Sequence, residues 1–145
     1  MRKPIAGLVA ATGAAVVGFV VHVSSQAPVQ AWVSAHMEGR SVVPSWDVRY
    51  LALLTSLETG IALVLLYSLV RSALPVRSSF GRGLVLAALV LAVMGRLLRQ
   101  PLMNIAIGNP WPVVLVQDGV SWLVWLCTCV VVTITYDWLA PQDAL

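Results

Sequence analysis

Four apolar runs organise the chain, at about residues 5–23, 48–70, 83–105 and 112–136, each close to the roughly 20 residues a helix needs to cross a hydrocarbon core. They predict an all-α integral membrane protein, with four transmembrane helices forming one domain over residues 1–145. The connections are short except at 24–47. There Val29, Trp32, Val33 and Met37 recur on one helical face, with Gln30, Ser34 and Glu38 elsewhere. This pattern predicts a short amphipathic helix in the first outer loop, lying on the membrane or capping the bundle. His36, Glu38 and Arg40 within it read as solvated.

Within the first run, Ala6, Ala10, Ala14 and Gly18 recur every four residues and lead to His22. Small side chains in that register let helix backbones approach closely where lipid supplies no hydrophobic drive. The Met1-Arg2-Lys3 start followed by an apolar run also resembles a secretory leader. A retained helix is expected, because the run is long for a leader and no small-x-small cleavage site follows it.

Composition changes this picture little. With 59% hydrophobic and 10% charged residues, the 145-residue chain has too few charges to cover a water-facing surface. The net charge of +3 comes from basic residues at helix ends and in one loop, with no aromatic-interleaved stripe, so no nucleic-acid partner is expected. Arg2 and Lys3 precede the first span and Arg71, Arg77 and Arg82 crowd the loop after the second. By the positive-inside rule both termini are cytoplasmic, and the topology resembles that of a bacterial inner (plasma) membrane protein. Trp46, Tyr50, Tyr67, Trp111, Tyr136 and Trp138 fall at span ends, where interfacial aromatics belong. Cys127 and Cys129, two positions apart, point to different sides of a helix and read as apolar filler.

The candidate chemistry lies in charges that fall inside the spans. From Gly83 to Gly95 the third run is uncharged for only about 20 Å of helix, too short for a core of about 30 Å. Arg96 and Arg99 therefore stand in the outer half of the membrane or at its edge, where a charge without a partner is costly. Glu58 in the second span and Asp118 in the fourth lie at similar reckoned depths, which predicts the pairs Glu58–Arg96 and Asp118–Arg99. His22, Gln100, Asn104 and Gln117 fall near the same level. Pro101 predicts a kink or break of the third helix, freeing the Leu97 carbonyl beside a small outward-opening polar pocket. Asp118 also suits a helix N-cap, and Arg99 a snorkelling anchor.

No metal-ligand set, Walker loop, dinucleotide fingerprint or nucleophile elbow is present, and no cofactor or metal is expected. Three readings follow. The first is a carrier, oligomeric because one bundle encloses little volume, in which Glu58 exchanges a proton while the arginines attract an anionic small molecule or lipid headgroup. The second is a non-catalytic subunit docking a membrane partner protein through Trp122 and Trp125. The third is an intramembrane enzyme acting on a lipid or quinone, with Glu58 or His22 as acid or base and the arginines holding a phosphate or carbonyl oxygen, which needs His22 and Glu58 within hydrogen-bond reach.

Overall fold

The computed structural model describes residues 2–37, 39 and 48–140. Among them are five helices and no strand: α1 (Arg2–His36), α2 (Val48–Val70), α3 (Ser79–Val93), α4 (Arg99–Ala106) and α5 (Trp111–Leu139). Three are long and apolar enough to cross a membrane, over Lys3–Gln26, Arg49–Val70 and Trp111–Leu139. The fourth apolar helix, Ser79–Val93, has 15 residues.

The helices are ordered in space by small residues. On α1, Ala6, Ala10 and Ala14 are fully buried, and they pack in one cluster with Leu63, Tyr67, Cys129 and Val132. Gly60 lets α2 press onto α1: a Cβ there would lie 2.5 Å from the Ala11 carbonyl oxygen. Gly83 does the same for α3 and α5, since its Cβ would stand 2.7 Å from the Val130 Cα. The result is a central α1–α5 pair, with α2 laid mainly on α1 and α3 laid on α5. Although consecutive, α2 and α3 form no substantial interface with each other.

The two ends of the bundle are best named by the acids on α5. Tyr67, Arg71, Ser79 and Arg82 meet at the Asp137 end. The Asp118 end holds the far part of α1, the start of α2, and α4.

Three expectations are corrected. First, the first helix does not stop near residue 23. It continues through Pro28 to His36, so the expected separate amphipathic helix is the last turns of α1. Gln26, Ala27, Gln30, Ala31 and Ala35 are strong helix formers, and Pro28 interrupts the ladder at one position only. At 35 residues, or about 52 Å, α1 is much longer than a hydrocarbon core. Trp32 stacks on His36 at 4.1 Å, and Val33 is buried. Glu38, Arg40 and Trp46 lie outside the described residues.

Second, the third helix breaks at Gly95, not at Pro101. Gly95 takes φ 68°, a left-handed conformation that favours glycine. Its N–H bonds the Ala92 carbonyl at 3.0 Å and the next N–H, of Arg96, bonds the Leu91 carbonyl at 2.9 Å. This is a Schellman motif, which satisfies the last carbonyls of α3. Pro101 then falls in the first turn of α4, where a missing N–H loses no helical bond. A second motif of the same kind, with Gly108 at φ 87° and Asn109 N–H on the Asn104 carbonyl at 3.1 Å, ends α4.

Third, Tyr67 and Tyr136 turn into the core and away from the surface: they are 0% and 6% exposed, and their rings meet edge to face at 5.8 Å. Tyr50, Trp111 and Trp138 are exposed.

Candidate functional site

A cavity of about 820 Å³ opens along the side of the bundle. Its floor is the α1–α5 pair, and its walls are α2 on one side and α3 with α4 on the other. Because α2 and α3 do not pack together, the wall between them is missing. Thr55, Thr59, Ala62 and Leu66 face this trough from one stripe of α2, with Glu58 beside them. Val90 and Met94 face it from the α3 side, and Trp125 and Thr128 from α5.

The cavity gathers His22, Glu58, Arg96, Gln100, Asn104, Gln117 and Asp118. Arg99 stands apart: it is exposed at the start of α4, with its methylenes lying along Gly95. The turn at Gly95 sends the chain off the α3 axis, so a rise counted along one straight helix misplaces Arg99.

Neither expected ion pair forms. Arg96 instead donates through Nη1 to Ser121 Oγ at 3.1 Å, and Gln100 donates to Asp118 Oδ1 at 3.2 Å. Glu58 has no ion-pair partner among the described residues and is exposed. The reason is topological. Pairing Glu58 with Arg96 needs α2 beside α3, whereas α1 and α5 lie between them. The depths also differ: Gly18 brings Ser56 and Thr128 to one level, so Glu58 lies about 15 Å or more along the bundle from Asp118. Glu58 therefore marks the deep part of the trough and Asp118 its far end.

Asp118 is not a helix cap. Since α5 starts at Trp111, with Pro110 as its N-cap, Asp118 lies two turns inside and is 2% exposed. Its Oδ2 is buried with no hydrogen-bond partner among the described residues. Arg96 is the cation that acts on it electrostatically. Ser121 is one turn along α5 from Asp118, about 5–6 Å between Cβ atoms, which brings the guanidinium held on Ser121 near the carboxylate.

The tryptophans are used within the chain. Trp122 Nε1 donates to the Arg96 carbonyl at 3.0 Å, satisfying a backbone group at the helix break as a low-dielectric setting requires. Trp125 packs against the core. His22 contacts Gln26, Nε2 to Nε2 at 3.1 Å, and makes no hydrogen bond to Glu58. An acid–base pair of these two residues is thus not assembled.

A second polar cluster, not anticipated from the sequence, sits at the Asp137 end. Asp137 accepts from Tyr67 Oη at 2.7 Å and Ser79 Oγ at 2.9 Å, and pairs with Arg82 at 3.1 Å and Arg71 at 3.3 Å. Arg71 also donates to the Ala140 carbonyl at 3.0 Å and lies 5.2 Å from the Tyr136 ring centre. Arg82 Nε donates to the Val76 carbonyl at 2.9 Å. The signal was present: an acid at the end of the last span opposite a loop holding Arg71, Arg77 and Arg82.

Among the described residues no group of three or more His, Cys, Asp or Glu is placed to hold a metal ion. The chain matches no protein-family model, no curated protein and no solved structure.

Proposed function

We propose that the chain is a carrier-type membrane protein that binds an anionic small molecule or lipid headgroup in the trough. In this reading it crosses the membrane four times, with α3 and α4 together forming the third crossing. The Asp137 end, which carries Arg71, Arg77 and Arg82, faces the cytoplasm with both termini, in a bacterial-type inner membrane. The observation that carries the proposal is Arg96. Its guanidinium lines a large open-sided cavity, and its one hydrogen-bond partner among the described residues, Ser121, is neutral. A charge in that position attracts an anion more strongly than it would in water. Glu58, unpaired deeper in the same trough, is the group that exchanges a proton or counter-ion during movement. The cavity lies within one chain, so binding needs no second copy.

The docking alternative is less favoured, because Trp122 is held on the Arg96 carbonyl and Trp125 packs against the core. The test is flux into proteoliposomes, using inorganic phosphate, acetate and fluorescent phosphatidylglycerol as probes. Arg96→Gln is expected to abolish movement of the accepted probe, Arg99→Gln to leave it intact, and Glu58→Gln to flatten its pH dependence. Equal flux in all four proteins would remove the assignment.

A further inference from the structure

Arg96 and Asp118 together offer more than an anion site. Arg96 keeps guanidinium donors beyond the one on Ser121, and Asp118 keeps an acceptor, Oδ2, that nothing among the described residues occupies. A buried carboxylate oxygen without a donor is costly, and sites that persist with one present it to something. Ser121, which accepts from Arg96, stands one helical turn from Asp118 on the same face of α5. A ligand satisfying both Arg96 and Asp118 carries an anionic oxygen and, a short link away, a positively charged hydrogen-bond donor.

The shape of the cavity gives the rest of the ligand. Its lower walls are mostly apolar, with Leu63 and Leu66 from α2, Val90 from α3 and Val124 from α5, interrupted by Thr59, Thr128 and Glu58. The missing wall between α2 and α3 faces sideways, where in the four-crossing reading above the surrounding solvent is lipid and not water. A polar head at Arg96 and Asp118 with apolar tails leaving through that gap is an amphiphile already dissolved in the bilayer. A water-soluble anion would leave the apolar walls unused.

Resting on the anion-binding reading above, we propose that the trough selects a phospholipid with an amine-bearing headgroup, of the phosphatidylethanolamine type. Its phosphate lies on Arg96 and its ammonium donates to the Asp118 carboxylate, whose Oδ2 is closed off in the structure and turns to meet it, while the acyl chains pass between α2 and α3. A choline headgroup has the same phosphate and charge but no N–H to donate. Asp118 therefore discriminates by hydrogen bonding and Arg96 supplies the shared attraction.

The experiment is native mass spectrometry of the full chain in neutral detergent, with equimolar phosphatidylethanolamine and phosphatidylcholine of matched acyl chains. The expected result is one retained lipid, with ethanolamine favoured about tenfold, the worth of one charge-assisted hydrogen bond. Asp118→Asn, which sets an amide where the carboxylate stood, brings that ratio near one while lipid is still retained. Arg96→Gln loses both lipids, Arg96→Lys recovers part of the binding, and Arg99→Gln changes neither. Soluble glycerophosphoethanolamine at the same concentration does not displace the lipid. Lipid retained without headgroup preference, or a preference unchanged in Asp118→Asn, overturns the proposal and leaves the anion site standing. Displacement by the soluble headgroup overturns the lipid assignment. Failure of the wild-type chain to retain either phospholipid overturns this proposal; if it also binds no inorganic phosphate in a parallel titration, the anion reading falls with it.

Discussion

The two aspartates of α5 are the same residue in opposite circumstances. Asp137 is met by Tyr67 from α2, by Ser79 and Arg82 from α3, and by Arg71 from the loop between them. Among the described residues Asp118 is hydrogen-bonded by Gln100 alone, with Oδ2 left over beside a cavity. The first arrangement is a clasp joining three helices, in which Asp137 Oδ1 and the Arg71 guanidinium nitrogen facing it, though without hydrogen bonds, are still paired as ions at 3.3 Å. The second holds fewer bonds than its groups can make, beside space that could supply the rest. A charge inside a membrane protein is thus read best by what it lacks.

That contrast can be broken experimentally, most severely at the clasp. Asp137→Ala leaves Arg71 and Arg82 without their carboxylate and is expected to cost about 3–5 kcal/mol. Equilibrium unfolding in mixed micelles measures this; a loss below about 1 kcal/mol would mean that the clasp does not hold the helices. Gly95→Ala comes next, costing about 1–2 kcal/mol for a side chain in the left-handed region. It should also disturb the environment of Trp122, visible as a shift in tryptophan emission. Asp118→Asn is expected to change stability by less than about 1 kcal/mol, in either direction, because the oxygen it removes makes no bond. A loss as large as that of Asp137→Ala would make both ends structural and erase the comparison. Glu58→Gln is the smallest: no measurable change in the unfolding midpoint, with any effect confined to flux.

What could be read from the residues divides along the same line. The stripe Ala6, Ala10, Ala14, Gly18 was legible because a period of four on one helix needs no knowledge of its neighbours. The cavity residues His22, Glu58, Arg96, Gln100, Asn104 and Asp118 were legible as polar interruptions of apolar runs. Their pairing was not, because it depends on which helices touch, and the docks at Gly60 and Gly83 separate α2 from α3. Gly95 was open to detection: a glycine directly after an apolar helical run is a common C-terminal stop, and Pro101 drew attention from it. Asp137 was hidden by its position near a span end, where a charge calls for no explanation until Arg71 is found buried beside it.

The placement of α3 against α5 has a consequence for how the chain is made. A ribosome finishes α1 and α2 early, and these two already share the dock at Gly60. Helix α3 then emerges with its partner still unwritten: α5 ends roughly 45 residues later, about 2–9 s of synthesis at ordinary rates. Throughout that interval Arg82 has no Asp137 and Arg96 has no Ser121. Helix α5 is therefore the one that completes the contacts of α3, and a chain that stalls before it leaves Arg82 without Asp137 and Arg96 without Ser121.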